Sequence, residues 1–532
     1  MIFICISCHN RKDNSGKTVF RYNESQGIPT LDPAFARNQV IIWPVAQLFN
    51  GLVQLNDTLG IDPCIASSWI ISEDGLEYTF FLRNDVWFHE HESFGAERTR
   101  KATAYDFEYS FKRIFDPETA SPGTWIFANA DFSKGGFVAV NDTTFTIYLK
   151  QPFPAFLGLL AMQYCSVIPH EAVEFMKSDF GNFPVGTGPF KIKYWKEGEK
   201  LILVKNDAYF ETDSEGRKLP YLDAVSITFI RDKQSEFLQF MKHEIDFLNH
   251  IHKSYKNELL TPLGQLNPKY QGKIRMDKDQ YLNTEYLAFF MGQNEFISSD
   301  NPLSYEELRK AINYGFDRKK MIKYLRNNIG EPALSGFIPQ GLPGYFPGWG
   351  YHYNPDSARV LIKRLENKIG EIPVITLTTT SDYADLCEFI QHELANFGVK
   401  IEIEVSVGAT FRSSVANSKL PFFRASWLAD YPDAENYLSL FYSKNFSPYG
   451  PNYTHFYNSE YDFLYESSLR ETNTDIRTGL YHQMDRIIMN NAVIVPLYYD
   501  QVVRFTHKDV KGLTTNPVNL LVLKRVYKEK GL

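Results

Sequence analysis

Strand-like and helix-like patterns alternate along most of this chain of 532 residues. In the clearest unit, Val374–Thr378 predicts a strand, Asp385–Phe397 a helix, and Lys400–Val405 a second strand. Gly398 follows the helix at the position where helices commonly end. Chains that alternate in this way build sheets covered by helices. Because the length exceeds what one core supports, the pattern predicts an α/β protein with two to four domains.

The two ends of the chain also carry strand patterns. Thr18–Tyr22 predicts a strand near the start, and Val493–Tyr499 and Leu520–Val526 predict strands near the end. Since no low-complexity linker separates the predicted domains, we expect them to share strands that cross between them more than once.

Charge and motifs exclude several classes of function. The 63 acidic and 56 basic residues are spread along the chain, and the net charge of −7 does not indicate a nucleic-acid-binding protein. Ser15-Gly16-Lys17-Thr18 resembles the end of a phosphate-binding loop, but Arg11 stands where its first glycine would be. The chain therefore has no ATPase motif, and any transport it serves takes its energy from a partner.

The N-terminal residues MIFICISC are apolar and end in cysteine, which is typical of a lipoprotein signal. This interpretation makes Cys8 the lipid attachment site and residues 1–16 a signal remnant and tether. The basic region and the longer apolar stretch of a complete signal are missing, and the alternative is an ordinary N-terminus. Further along, no apolar run reaches the roughly 20 residues of a spanning helix, so we expect contact with the membrane through the lipid anchor alone.

Metal binding is not predicted. His89-Glu-His-Glu92 could place two imidazoles on one strand face, but no third ligand accompanies them, and a polar surface loop is favoured. Outside the N-terminus, Cys64, Cys165 and Cys387 are too widely spaced for a CxxC pair. Three cysteines cannot all pair with each other, so at least one is expected to be a small buried apolar residue.

The segment Phe422–Asp433 is the strongest candidate for a site. It begins as a strand that contains Arg424 and reaches Trp427, and ligands of α/β proteins often bind at the carboxyl ends of strands. One cation, one anion and an aromatic ring suit a zwitterion, with an ammonium on Asp430 and a carboxylate on Arg424. Asp430 and Asp433 could instead form an acid–base pair, or a turn in which an aspartate caps the next helix.

At this point the sequence resembles the extracellular solute-binding proteins of the oligopeptide and dipeptide ABC-transporter family. The similar stretches lie in the family's order and cover nearly all of the chain from Lys17 onward: Ala66–Trp69 through Asp85 to Arg113; Val185-Gly-Thr-Gly-Pro-Phe190 with Trp195 and Asn206; Leu308–Ala311 with Phe316-Asp-Arg318 and Ile338-Pro339; and Arg424 to Asp433 with Ile494–Tyr498. The VGTGPF motif together with the Asp430 turn is the most specific part of the resemblance.

The resemblance implies a two-lobed periplasmic-binding-protein fold of type II, with an extra inserted domain and the ligand cleft between the lobes. Two chain crossings would act as a hinge that closes the lobes. The implied segments are 17–51 as the first part of lobe 1, 52–164 as the inserted domain, 165–257 as the second part of lobe 1, 258–490 as lobe 2, and 491–532 as the C-terminal part of lobe 1.

The resemblance also implies the residues that bind the ligand. In members that bind peptides, the aspartate matching Asp430 pairs with the free amino terminus, and the match of Trp427 lines a side-chain pocket. The match of Arg424 reaches the carboxylate in some members. The remaining expected contacts are Ala425, Tyr431 and the stretch Gln26-Gly27-Ile28, which borders the peptide main chain.

The predicted function is therefore the capture of di- to oligopeptides outside the cytoplasm, in the periplasm, and their delivery to the permease of an ABC importer. We expect a monomer without cofactor or metal, and not an enzyme. The alternatives that the resemblance leaves open are a nickel complex, haem, a sugar or a signalling peptide as ligand, a sensor without transport, and a hydrolase that uses Asp430 and Asp433.

Overall fold

The computed structural model describes residues 16–297 and 300–529. The predicted attachment site Cys8 lies outside these residues. The strands of the described chain are β1 (Val19–Asn23), β2 (Val53–Leu55), β3 (Ile61–Pro63), β4 (Ala66–Ile71), β5 (Glu77–Leu82), β6 (Phe137–Asn141), β7 (Thr144–Tyr148), β8 (Phe190–Lys196), β9 (Lys200–Lys205), β10 (Ala224–Thr228), β11 (Phe247–Asn249), β12 (Ile274–Phe289), β13 (Glu331–Pro332), β14 (Ile375–Thr379), β15 (Ile401–Val405), β16 (Phe422–Leu428), β17 (Ile494–His507), β18 (Val510–Lys511) and β19 (Tyr527–Lys528).

The helices lie between these strands and cover the sheets. In the described residues they are α1 (Gln39–Leu48), α2 (Ala104–Ile114), α3 (Phe156–Leu160), α4 (His170–Met176), α5 (Lys233–Met241), α6 (Lys256–Leu259), α7 (Glu306–Tyr314), α8 (Arg318–Leu325), α9 (Pro355–Ile369), α10 (Ala384–Ala395), α11 (Gly408–Ala416), α12 (Glu435–Leu438), α13 (Ser459–Ser468) and α14 (Thr474–Asn490). Of these helices, none combines the length and apolar character that crossing a membrane requires.

Lobe 1 contains two sheets of four strands each among the described residues. The order is β1-β10-β9-β8 in the first sheet and β4-β5-β7-β6 in the second. Side chains from both sheets, including Phe20, Phe80 and Phe145, belong to one continuous apolar core. Helix α2 adds Phe107 and Phe111 to this core, as the helical spacing of these aromatic residues requires.

The largest sheet carries lobe 2 and continues into the junction with lobe 1. Its seven described strands take the order β11-β17-β12-β16-β14-β15, and β13 pairs with β17. Leu287 and Phe289 of β12 pack into the apolar core on one face, whereas Tyr286 and Ala288 pack into the core on the other. Helices cover both faces, and successive residues of a strand point to opposite faces, so the central strands are apolar almost throughout.

A long two-stranded ribbon connects the lobes. Strands β12 and β17 pair antiparallel along nearly their full length, with a shift of register between Gln280 and Thr284. Beyond that shift, β17 also pairs with β11. The ring of Phe247 in β11 lies 6.1 Å from that of Phe20 and 5.9 Å from that of Trp43, which are both part of the lobe 1 core. The predicted crossing of strands between lobes is therefore observed, while the bounds of the six predicted segments stay predictions.

The strand–helix–strand unit of residues 374–405 is confirmed as β14, α10 and β15. Gly398 adopts a φ of +81°, which is a conformation that residues with a side chain rarely adopt. Strands β14 and β15 pair in parallel, which is the arrangement that an intervening helix allows.

The prediction of a strand at Leu520–Val526 was wrong, although three of its apolar side chains are fully buried. Leu521, Leu523 and Val526 are fully buried. The backbone is bonded by a side chain and not by a neighbouring strand: the amide of Gln47 donates to the carbonyl of Leu521 at 2.7 Å, and its oxygen accepts from the backbone of Leu523 at 3.3 Å.

Cysteine usage agrees with the prediction made from spacing. Cys64, Cys165 and Cys387 are free thiols, and all three are buried.

Candidate functional site

The predicted site residues lie on both lobes. Arg424 and Ala425 belong to β16 of lobe 2, and Trp427 lies one residue before its end. Asp430 and Tyr431 form the turn that follows. The stretch Gln26-Gly27-Ile28 lies on lobe 1 after β1, where the backbone of Gln26 donates to the carboxylate of Glu24 at 3.1 Å and Ile28 enters the lobe 1 core.

The turn after β16 is one of the places where lobe 2 contacts lobe 1. Tyr431 is 4% exposed and packs within the lobe 1 core although it belongs to lobe 2. Its ring centroid lies 6.4 Å from that of Trp125, and a Cβ placed on Gly158 would lie 3.5 Å from the Cβ of Tyr431. Asp430, the residue before Tyr431, is therefore held beside this contact between the lobes.

Asp430 lies in this cleft with its charge uncompensated. Its residue surface is exposed to water, yet the surrounding protein raises the pKa of the carboxyl through desolvation. Asn436 donates to Oδ2 at 3.2 Å, and no cation of the described chain pairs with it. Tyr164 of lobe 1 lies nearby. Burial raises the pKa of Tyr164, and the negative charge of Asp430 is the second largest cause that raises it.

Asn436 orients this part of the site and was not among the predicted residues. Its side-chain oxygen accepts from the indole Nε1 of Trp427 at 2.9 Å and from the backbone of Asp430 at 3.1 Å. Because its amide also bonds the carboxylate of Asp430, one side chain fixes both the ring and the acid. The sequence gives no signal for this role, since an asparagine in the first turn of a helix is unremarkable.

Asp433 is buried and supports the turn, whereas Asp430 is exposed to water. Its carboxylate accepts from the hydroxyl of Tyr481 at 2.7 Å and from the backbone of Glu435 at 2.9 Å, which is the capping role expected of an aspartate at this position. The hydroxyls of Tyr431 and Tyr465 both donate to Glu435, whose pKa burial raises to about 7. The turn therefore stands on a buried network of hydrogen bonds.

Arg424, in contrast, is already paired. Its guanidinium forms an ion pair with Glu285 of β12, and the two side chains are only 11% and 3% exposed. The carbon Cζ of Arg424 lies 3.3 Å from the ring centroid of Tyr383, at the start of α10. Burial lowers the pKa of Arg424, and Glu285 and Tyr383 raise it, with a net upward shift. Nε has no hydrogen-bond partner among the described residues. The assignment of Arg424 to a ligand's carboxylate stays a prediction.

A second ion pair lies beside the first. Arg326 contacts Asp500 at 2.6 Å, and it also donates to the hydroxyl of Tyr498 at 2.8 Å. The pKa of Tyr383 is raised to about 12, and burial is the main cause. The nearby charges also act on this pKa, and they belong to Glu285, Arg424, Asp500 and Arg326. This group, which we call the paired-charge cluster, contains Glu285, Arg326, Arg424 and Asp500, and its formal charge is zero.

The prediction that His89 lies in a polar surface loop was wrong. His89 is 5% exposed, its Nε2 lies 3.0 Å from the carbonyl oxygen of Gly188, and its Nδ1 accepts from the backbone of Gly186 at 3.3 Å. Desolvation lowers the pKa of His89 to about 4, so the ring is neutral at pH 7. Its role is to hold the VGTGPF motif against the inserted domain.

One set of side chains in the described chain has the spacing of a metal site. Asp106, His170 and Glu171 offer ligand atoms within 4.8 Å of one another. The guanidinium of Arg100 lies among them, bonded to Asp106 at 2.7 Å and to Glu171 at 2.6 Å. An arginine in this position supplies the positive charge that an ion would supply, so the cluster is a structural ion pair.

Two lobes joined by a strand ribbon, with a charged and aromatic cleft between them, define the class of binding proteins that close on a small solute. The family comparison agrees. Residues 60–448 match the model of the bacterial extracellular solute-binding proteins, family 5, middle region, and the chain belongs to this family.

Individual proteins are similar along almost the whole chain. The dipeptide-binding protein DppE of Bacillus subtilis is 26% identical over 97% of this chain and 93% of its own length. The heme-binding protein A of Haemophilus influenzae is 27% identical over 88% and 85%. Among solved structures, the ABC transporter-associated periplasmic binding protein DppA of Helicobacter pylori, in complex with the peptide STSA, is 26% identical and superposes with a TM-score of 0.79, over 97% of this chain and 99% of that one.

Proposed function

We propose that this protein captures peptides in the cleft between its lobes and delivers them to the permease of an ABC importer, without chemistry of its own. The observation that carries the proposal is Asp430: a partly desolvated carboxylate that water still reaches, bonded to Asn436, with no cation of the described chain paired to it. The relatives named for dipeptide binding, and the similar structure that contains a peptide, support the same ligand class.

The physical argument is the cost of leaving a charge unpaired in an enclosed site. Closure of the lobes removes water from Asp430, and an uncompensated buried charge costs several kcal/mol. A ligand ammonium offsets that cost and gains a charge-assisted hydrogen bond. The free amino terminus is the cation that every unmodified peptide carries, so Asp430 selects peptides without selecting their sequence.

The other predicted contacts complete the proposed site. Trp427, held by Asn436, offers an aromatic wall for a side chain of the ligand. Ala425 lies two residues before Trp427 on the same strand, and Gln26, Gly27 and Ile28 supply backbone groups from lobe 1 that suit strand-like recognition of a peptide main chain. Tyr431 is buried in the lobe 1 core and donates to Glu435, so its part in the site is to hold the turn that carries Asp430. Arg424 is the exception, because Glu285 already holds its charge.

We propose no catalysis because the contacts of Asp433 do not suit it. A hydrolase built on Asp430 and Asp433 needs both carboxylates at the substrate, but Asp433 is occupied by Tyr481 and by the backbone of Glu435. Family 5 consists of solute-binding proteins, which supports binding as the whole of the function. The periplasm as location, the lipid anchor at Cys8 and the monomeric state belong to the proposal as predictions from the sequence.

Haem is the second candidate ligand, because one relative is named for binding it. Its two propionates are anions and it has no ammonium group, so it would leave Asp430 without a partner and add negative charge beside it. The geometry of the cleft therefore favours a peptide.

The test combines native mass spectrometry with calorimetry on the full chain purified from a peptide-rich lysate. We expect bound masses of two to several amino acids, and binding of a free peptide that falls about a hundredfold when its amino terminus is acetylated. Equal binding of the acetylated peptide would contradict the role of Asp430. An absorbance band of bound haem together with an empty peptide spectrum would move the proposal to the second candidate.

A further inference from the structure

The two ends of β16 present very different charges to the cleft. Asp430, after the strand, has no cation of the described chain as partner. Arg424, within the strand, is paired with Glu285 and packed against Tyr383. Six positions separate the two residues, which is about 20 Å along an extended strand at most. A peptide of up to about six residues is therefore long enough to span the distance from Asp430 to Arg424.

Glu285 is held in place to neutralise Arg424. Its strand pairs antiparallel with β16, where Glu285 lies opposite Ser426 and Arg424 opposite Leu287. Residues opposite each other in such a pair share a face of the sheet, so the acid and the base are diagonal neighbours by construction. Glu285 is 3% exposed and accepts a hydrogen bond from Asn283 at 3.0 Å, which fixes its other oxygen.

The neighbouring charges are neutralised in the same way. Arg326 is paired with Asp500 at 2.6 Å, and its guanidinium packs 4.2 Å from the ring centroid of Tyr498. The paired-charge cluster thus adds no net charge to this end of the cleft. A carboxylate placed there meets an arginine and an acid together, and the two contributions to its binding free energy largely cancel.

We propose that Glu285 is a specificity-determining residue, which holds Arg424 in an internal ion pair and thereby makes the cleft indifferent to the carboxyl terminus of its ligand. The inference rests on the proposed function, since it concerns the far end of a bound peptide. One end of the ligand is then anchored by charge, and the other end is free to be a carboxylate, an amide or a continuing chain. The substrate class becomes peptides with a free amino terminus and a variable or modified carboxyl end.

The experiment compares each peptide with its C-terminal amide on the wild-type protein by calorimetry, for lengths of two to six residues. We expect the peptide with a free carboxyl terminus and its C-terminal amide to bind with affinities within about threefold of each other at every length. A preference of tenfold or more for the acid, lost in Arg424→Met, would overturn the inference and leave the proposed function intact. If neither form binds, the proposed function and the inference fall together.

Glu285→Gln supplies the gain-of-function arm. Removing the acid frees the charge of Arg424, so we expect the variant to prefer the acid over the amide by about tenfold or more at the length whose carboxyl end reaches Arg424. The matched control is Glu285→Gln combined with Arg424→Gln, in which the preference should disappear. An unchanged ratio of acid to amide in a folded Glu285→Gln protein would overturn the inference, and the wild-type comparison decides alone if that variant does not fold.

Discussion

Lobe 2 carries two charged residues at β16, Arg424 within the strand and Asp430 after it, and they differ in whether a partner compensates the charge. Asp430 is reached by water and bonded only to the amide of Asn436 among the described side chains. Arg424 is enclosed and neutralised by Glu285. Once water is removed, the charge of Asp430 requires a cation from a ligand, whereas the charge of Arg424 already has its partner inside the protein.

The largest expected effect concerns the paired end, where Glu285→Gln leaves the guanidinium of Arg424 buried without an acid. We expect the free energy of unfolding, measured with urea, to fall by about 3–5 kcal/mol. Neutralising both residues, with Glu285→Gln and Arg424→Met together, should recover most of the loss because no charge remains unpaired. As control, Glu371→Gln breaks an exposed pair with Lys400 and should leave stability unchanged. A loss as large in the double variant would break the comparison.

The next effect concerns the unpaired end. Asp430→Asn keeps the shape of the side chain and removes its charge, so affinity for free peptides should fall about a hundredfold while stability is kept or increased. Calorimetry and urea unfolding measure the two quantities. Asp356→Asn, at a side chain that is 91% exposed, is the matched control and should change neither. Affinity of the Asp430 variant within threefold of wild type would remove Asp430 from the site.

A pH series sharpens the same contrast. Desolvation raises the pKa of Asp430 above its usual value of 3.8, so the carboxylate is protonated at a higher pH than an exposed aspartate. Binding of an ammonium requires the ionised form, so affinity should be constant above this pKa and fall by about tenfold per pH unit below it. Arg424 keeps its charge throughout. Calorimetry should show the fall in the wild type and a flat profile in Asp430→Asn, and equal profiles would contradict the assignment.

The smallest effect tests how Asp430 is held. Asn436→Ala removes the amide that bonds the carboxylate and the oxygen that accepts from Trp427 and from the backbone of Asp430. We expect peptide affinity to fall about tenfold, since one charge-assisted hydrogen bond is lost while the charge itself stays. Trp427→Phe removes the indole donor and makes the ring smaller but keeps an aromatic side chain, and it should lower peptide affinity about threefold. If Trp427→Phe has the larger effect, the ring and not the hydrogen bonds positions the acid.

Part of this architecture was readable from sequence because local rules decide it. The patterns of residues 374–405, with Gly398 after the helix, predicted a strand–helix–strand unit that the structure contains, and the structure adds that its strands pair in parallel. At Leu520–Val526 the apolar residues correctly indicated burial but not the structure of the backbone. Apolar character indicates which segments lie inside, but it does not indicate whether a neighbouring strand or the side chain of Gln47 bonds the backbone.

The candidate site divides in the same way. The residue types from Arg424 to Asp433 determined by themselves that a cation, an aromatic ring and an acid lie at the end of one strand. Only the tertiary structure decided which charge is free, because Glu285 precedes Arg424 by 139 positions and reaches it through the pairing of β12 with β16. Local periodicity is written in neighbouring residues, whereas the compensation of a charge depends on which distant strand folds beside it.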